Sequence, residues 1–403
     1  MVSKYRSVVA VPGCARVFAT ALLARLPQGM SSLAILLLVR DATHSYAAAG
    51  VAVGGYALAC AAAVPVQGRL VDRLGRVAVL VPVAIGQATV LLGLVVAARD
   101  GASAPSLIGF AIVAGALQPA IAPTVRALLG EMLTDPKVRE TAYALESVVQ
   151  ELIWITGPLI VAAAITVISP AGAVLVSAAV CLIGTASFVA SPRVRAGRRR
   201  ARIAHRRGIV ITPELRTMLG PVAMMGASIG LIDVGIPSLA LHAGSRASSG
   251  VLLALWSLGS LLGGLWHGGI AWRISLQQRY RWLLIAAVLS VAPLVVARTI
   301  PEGMAASLLA GVTIAPVFSC QYALVGRSVA PGTETEAFTW VAAALLAGLS
   351  AGSALGGVLI GGLGVSAPFA ASCAAMGIAA LAAVRVRVPP PSLEQTAGAE
   401  SSG

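Results

Sequence analysis

Charge is scarce in this sequence: 11% of its residues are Asp, Glu, Lys or Arg, where a soluble globular domain carries about a quarter. Aromatic residues make up 4%, and there are 4 histidines and 5 cysteines in 403 residues. A chain that is 58% hydrophobic with so few charges cannot hide its apolar surface in a water-soluble fold. The cysteines, Cys14, Cys60, Cys181, Cys320 and Cys373, stand far apart in or beside apolar runs, which excludes both metal-ligand spacing and a disulfide framework. No nucleophile stands near a suitably spaced base, and no glycine-rich phosphate loop is present, so neither an enzyme nor a bound cofactor is expected.

What the sequence does have is long apolar runs. A helix crosses a hydrocarbon core of about 30 Å with about twenty residues, and continuous runs containing Gly and Ala read as helices, not as alternating barrel strands. Twelve such helices are expected, over residues 14–39, 46–67, 77–98, 104–129, 140–166, 171–190, 217–241, 249–270, 281–298, 303–326, 335–362 and 366–384. The expected fold is an all-α integral membrane protein of two six-helix parts, residues 1–190 and 217–387, joined by a basic cytoplasmic linker at 191–216 and followed by a disordered tail at 388–403.

The net charge of +14 does not point to nucleic acid, because the basic residues lie in short segments between apolar runs. With the N-terminus in the cytoplasm, every Lys and Arg except Arg25, Arg40, Arg99, Arg246 and Arg298 falls on the cytoplasmic side, which sets the expected orientation with both termini inside. The first run is too long for a cleavable leader and reads as a retained helix. The two parts echo each other at a shift of about 195 residues, as in transporters built from repeats: Ile121-Ala122-Pro123 returns as Ile314-Ala315-Pro316, Ala142-Tyr143 as Ala337-Phe338, and Gly157 as Gly352.

Between the second and third runs the chain carries Gly68, Asp72, Arg73, Gly75 and Arg76 at the spacing G-x-x-x-D-R-x-G-R. Glycines permit a tight turn, and a carboxylate can cap the positive N-terminus of a facing helix. In the second loop of a twelve-helix chain with a central basic linker, this run resembles the signature of the major facilitator superfamily. The resemblance implies a loop that latches against the eleventh helix, near Glu334, with Arg73 free to pair with a carboxylate. The corresponding loop after the eighth helix has lost its acid. Gly157-Pro158 resembles part of the antiporter signature of drug exporters, although Ile153 stands where that signature has a further glycine.

A charge at mid-membrane costs at least about 2.5 kcal/mol, so Arg25, Glu151 and Asp233 are the expected transport and proton-coupling residues. Arg25 shares a helix face with Gln28, Gly29 and Ser32, and it is expected to pair with Asp233 across the two parts or with Glu151 within the first. A low-dielectric site disfavours the charged form of a carboxylate, which makes either acid a candidate proton carrier. Glu146, five residues before Glu151, is expected to meet basic residues such as Arg73 or Arg126. Gln28, Gln118, Trp154 and Trp256 are the expected substrate contacts. Glycine stripes at Gly259, Gly263, Gly264 and Gly268, and at Gly348, Gly352, Gly356 and Gly357, mark close helix packing and are read as smooth faces on which the two parts rock.

The expected function is proton-coupled export of a small organic molecule by a monomer in the cell inner membrane, its partners being that solute, protons and lipid. Uptake of a sugar or organic anion is the alternative transport reading. A non-transporting sensor or scaffold is a third, against which the intact loop and membrane charges speak.

Overall fold

The structure is a computed structural model that describes residues 2–196, 213–244, 248–270, 272–329 and 333–386. Most of the expected linker and the whole expected tail lie outside the described residues. Among the described residues the secondary structure is helical throughout, without strands: α1 (Val2–Ala10), α2 (Cys14–Thr43), α3 (Tyr46–Leu74), α4 (Arg76–Arg99), α5 (Ala104–Ala116), α6 (Ile121–Met132), α7 (Pro136–Val167), α8 (Pro170–Val189) and α9 (Pro192–Ala196) precede the linker. After it come α10 (Pro213–His242), α11 (Ser248–Gly269), α12 (Leu276–Val296), α13 (Ile300–Gly311), α14 (Ile314–Ser328), α15 (Glu334–Leu363) and α16 (Ala367–Ala382). These elements make up twelve stretches long and apolar enough to cross a membrane. Several begin at the caps their sequences announce, such as Asp135 before Pro136 and the reciprocal Thr299–Glu302 capping box at α13.

Two spans expected as single helices are each two helices. The fourth breaks between Ala116 and Ile121, and the tenth between Gly311 and Ile314. Pro119 explains the first break, since the residue before a proline is disfavoured in helical conformation. Freed backbone groups in a bilayer must find partners, and Gln67 of α3 supplies them: its Nε2 donates to the carbonyls of Ala116 (3.1 Å) and Gln118 (3.0 Å), while its Oε1 accepts from the N–H of Ala120 (3.0 Å). One side-chain amide thus stands in for a missing helical turn.

The buried hydrophobics form three clusters. One joins both parts of the chain, from Val17, Val125 and Tyr143 to Met218, Tyr322 and Phe338, at the end of the bundle that carries the Gly68–Arg76 loop. At the opposite end the cores are separate, one drawn only from α2–α8 and the other only from α10–α16. Among the described residues, the core that the two parts share therefore lies at the loop end.

Apart from Gly264, the stripe glycines that pack closely do so within the second part, not at the rocking seam expected for them. A methyl group at Gly348 or Gly352 would stand 1.9 or 2.0 Å from the carbonyl oxygen of Ala223 or Ala227 in α10, and one at Gly263 would stand 1.8 Å from that of Val312. All three contacts lie within the second part. The first part repeats the device at Gly157, where a methyl group would stand 2.6 Å from the carbonyl carbon of Gly29. Of the stripe residues, Gly264 reaches the other part, against Val148. Gly348→Val should therefore destabilise the protein by about 3 kcal/mol, whereas Gly357→Val in the same helix, where nothing stands within 4 Å, should leave the melting temperature in detergent unchanged. Equal melting temperatures for the two variants would refute this packing.

Candidate functional site: buried charges at the seam between the two parts

Arg25 is 1% exposed, yet its partner is neither Asp233 nor Glu151. Its Nη1 donates to both carboxylate oxygens of Glu146 at 2.8 Å, and its Nη2 donates to Oε1 of Gln150. Arg126 of α6 joins the same acceptors, with Nε 3.2 Å from Glu146 Oε1 and Nη2 3.3 Å from Gln150 Oε1. Its guanidinium lies 3.9 Å from the ring centroid of Tyr322, which α14 contributes from the second part. The expectation for Arg25 fails because Glu146 and Gln150, one helical turn apart on α7, face α2, whereas Glu151 is turned by about 100° from Gln150. The close crossing at Gly29 and Gly157 brings α2 and α7 near enough for the contact.

Glu151 is 7% exposed and faces the second part instead. Ser260 of α11 and Asp233 of α10 lie within electrostatic range on that side, and the buried Ser260 hydroxyl has no hydrogen-bond partner. Asp233 is half-buried, and neither acid makes an ion pair among the described residues. Trp256, one turn before Ser260, is half-buried with its indole N–H unpartnered, while Trp154 is 48% exposed. Gln28 is half-buried next to the turn carrying Arg25.

Gln118 is not placed as the substrate contact expected of it. It is buried inside the first part, and its Oε1 is taken by the Tyr56 hydroxyl (2.6 Å) and Gln87 Nε2 (2.7 Å). Pro158 lies inside α7 directly after the Gly157 crossing.

At the loop end, Asp72 accepts hydrogen bonds from the backbone N–H groups of Thr335 (3.3 Å) and Glu336 (2.7 Å), the first turn of α15. Gly68 lets the loop approach, since a methyl group there would stand 2.5 Å from the Thr339 side chain. Gly75 takes φ 95° between α3 and α4, in the left-handed region that other residues avoid. Arg76 pairs with Glu131 inside the first part. The loop's own ion pair across the seam belongs to Arg69, whose Nη2 is 3.1 Å from Glu336, while Arg73 is exposed and makes no ion pair among the described residues.

A second clasp lies beside the first. Each oxygen of Glu140 on α7 meets a different arginine of the second part, Arg279 and Arg327, both at 2.6 Å. Sequence reasoning missed it because the acid and both bases lie near helix ends, where charges ordinarily face water.

The sequence profile of the Major Facilitator Superfamily matches residues 17–301 and 218–402. The chain belongs to that family. No protein of curated function is recognisably similar in sequence. Among solved structures, this superfamily chain resembles a human organic anion transporter, MFSD10 (TETRAN), at 17% identity and TM-score 0.70, covering 92% of this chain and 99% of that one. It resembles a bacterial homologue of the iron transporter ferroportin in an outward-facing state at 15% identity and TM-score 0.71, covering 92% and 98%. The proton:xylose symporter XylE matches at 10% identity and TM-score 0.70, covering 93% and 96%. At these identities the likeness is one of fold. The protein is accordingly an all-α, multi-pass membrane transporter and not an enzyme.

Proposed function

We propose that this transporter exports a small organic molecule by alternating access coupled to protons, and that Glu151 and Asp233 carry the proton. The observation behind this reading is that each part of the chain places an acid within its membrane-spanning helices, Glu151 in α7 and Asp233 in α10, and that neither makes an ion pair among the described residues. A low-dielectric seam disfavours the charged form of a carboxylate. In this reading they take up a proton while the parts enclose them and release it when water reaches them. The distribution of Lys and Arg supports a cytoplasmic loop end and cytoplasmic termini in the cell inner membrane, in which case the closed end is the inner one and the state is outward-facing. Gly157-Pro158 and the low aromatic content favour export over sugar uptake. The working unit is a monomer that needs no cofactor.

The test begins with an accumulation screen over a compound panel in cells with and without the protein. The compound found is then assayed in vesicles under an imposed pH gradient. Asp233→Asn should abolish accumulation against a gradient while sparing downhill exchange. A wild type indifferent to the pH gradient, or an Asn variant that still transports uphill, would overturn the assignment.

A further inference from the structure

The Arg25 cluster carries more positive charge and more donors than it can use. Arg25 and Arg126 bring two guanidinium groups, and Glu146, 0% exposed, is the one carboxylate within hydrogen-bond reach of them among the described residues. Five donor–acceptor contacts converge on three oxygens, those of Glu146 and Oε1 of Gln150. Two buried donors remain without partners, Nε of Arg25 and Nε2 of Gln150, on side chains more than nine-tenths buried. Glu151 does not balance the surplus through an ion pair, since among the described residues both arginines pair with Glu146 alone. The Tyr322 ring beneath Arg126 offers a π face but no full charge.

We infer that this cluster is a binding site for a monoanion, either the carboxylate of a transported solute or chloride. An anion supplies both of the missing things, a negative charge and acceptors for surplus N–H groups, and a guanidinium fork suits a carboxylate in two parallel hydrogen bonds. The position fits transport, because Tyr322 comes from the other part of the chain and covers Arg126 only while the two parts are together. On the reading that Glu151 and Asp233 carry the proton, on which this extension rests, the outgoing anion and the incoming proton would use separate sites in opposite halves of the cycle.

The full chain in phosphatidylcholine nanodiscs would be titrated with sodium benzoate or sodium chloride against sodium methanesulfonate at constant ionic strength, following thermal stability and tryptophan fluorescence. Saturable stabilisation is expected. Benzoate alone would identify a carboxylate site, chloride alone a halide site, and both a general monoanion site. Arg126→Gln leaves the balanced Arg25–Glu146 pair, so it should melt no lower than wild type without added anion, yet bind the anion at least about tenfold more weakly, a loss of about 1.4 kcal/mol. Arg126→Lys, which keeps the charge without the fork, should fall between, and it serves if the Gln variant does not fold. If neither anion stabilises the wild type beyond methanesulfonate, or if Arg126→Gln or Arg126→Lys binds as tightly as wild type, the cluster is a structural strut and the inference is wrong. Proton-independent transport with intact anion binding would sink the coupling reading and leave this one standing.

Discussion

Glu146→Gln should unfold a large fraction of the protein in detergent, because it strands two guanidinium groups in the interior. Removing one partner of a buried ion pair costs about 3–5 kcal/mol, and here a single acid serves both Arg25 and Arg126. A double-mutant cycle separates the partners. Arg25→Met with Glu146→Gln should be less destabilised than the sum of the singles by about 1 kcal/mol or more, whereas Arg25→Met with Asp233→Asn should be additive within about 0.5 kcal/mol. Coupling of Arg25 to Asp233 in place of Glu146 would mean that the cluster is wrongly assigned.

The second large effect belongs to the loop-end clasps. Asp72→Asn removes the charge that caps the first turn of α15, and Glu140→Gln leaves Arg279 and Arg327 facing one another without their shared acid. An N-cap is worth about 0.5–2 kcal/mol, and a hydrogen bond to a charged group about 1.5–3 kcal/mol. The double variant should therefore shift the balance between the closed and open loop end by roughly ten- to a hundredfold or more. Spin labels at the exposed positions Arg73 and Arg273, one on each side of the seam, should report longer distances. Because neither acid touches the central charges, solute affinity should change little. An unchanged distance distribution, or a loss of affinity at an unchanged distance, would argue against a latch.

The two clasps differ in how far the sequence revealed them. Asp72, Gly68 and Gly75 fall in a run whose chemistry makes sense only if another helix end approaches it, so their use could be anticipated. Arg73 and Arg69 are equally plausible by type, and which of them reaches Glu336 depends on how α3 is rotated against α15. The same holds for the acids of α7. Glu146, Gln150 and Glu151 are all legible as polar residues in an apolar helix, and the expected meeting of Glu146 with Arg126 is found, but that Arg25 stands on the same face was not legible.

The sequence by itself determined that this is a membrane protein of twelve spans with a duplicated pattern and a loop built to meet a helix end, because runs of about twenty apolar residues, glycine turns and caps act over a few residues of local chain. Only the tertiary structure decided that Arg25 binds Glu146, that Gln67 repairs the break at Pro119 and that the closely packed stripe glycines other than Gly264 pack within the second part. Those outcomes turn on helix rotation and crossing distance. Both are set by backbone contacts between segments remote in sequence, such as Gly29 with Gly157 and Gly348 with Ala223, and a shift of one residue around a helix redirects a side chain by about 100°.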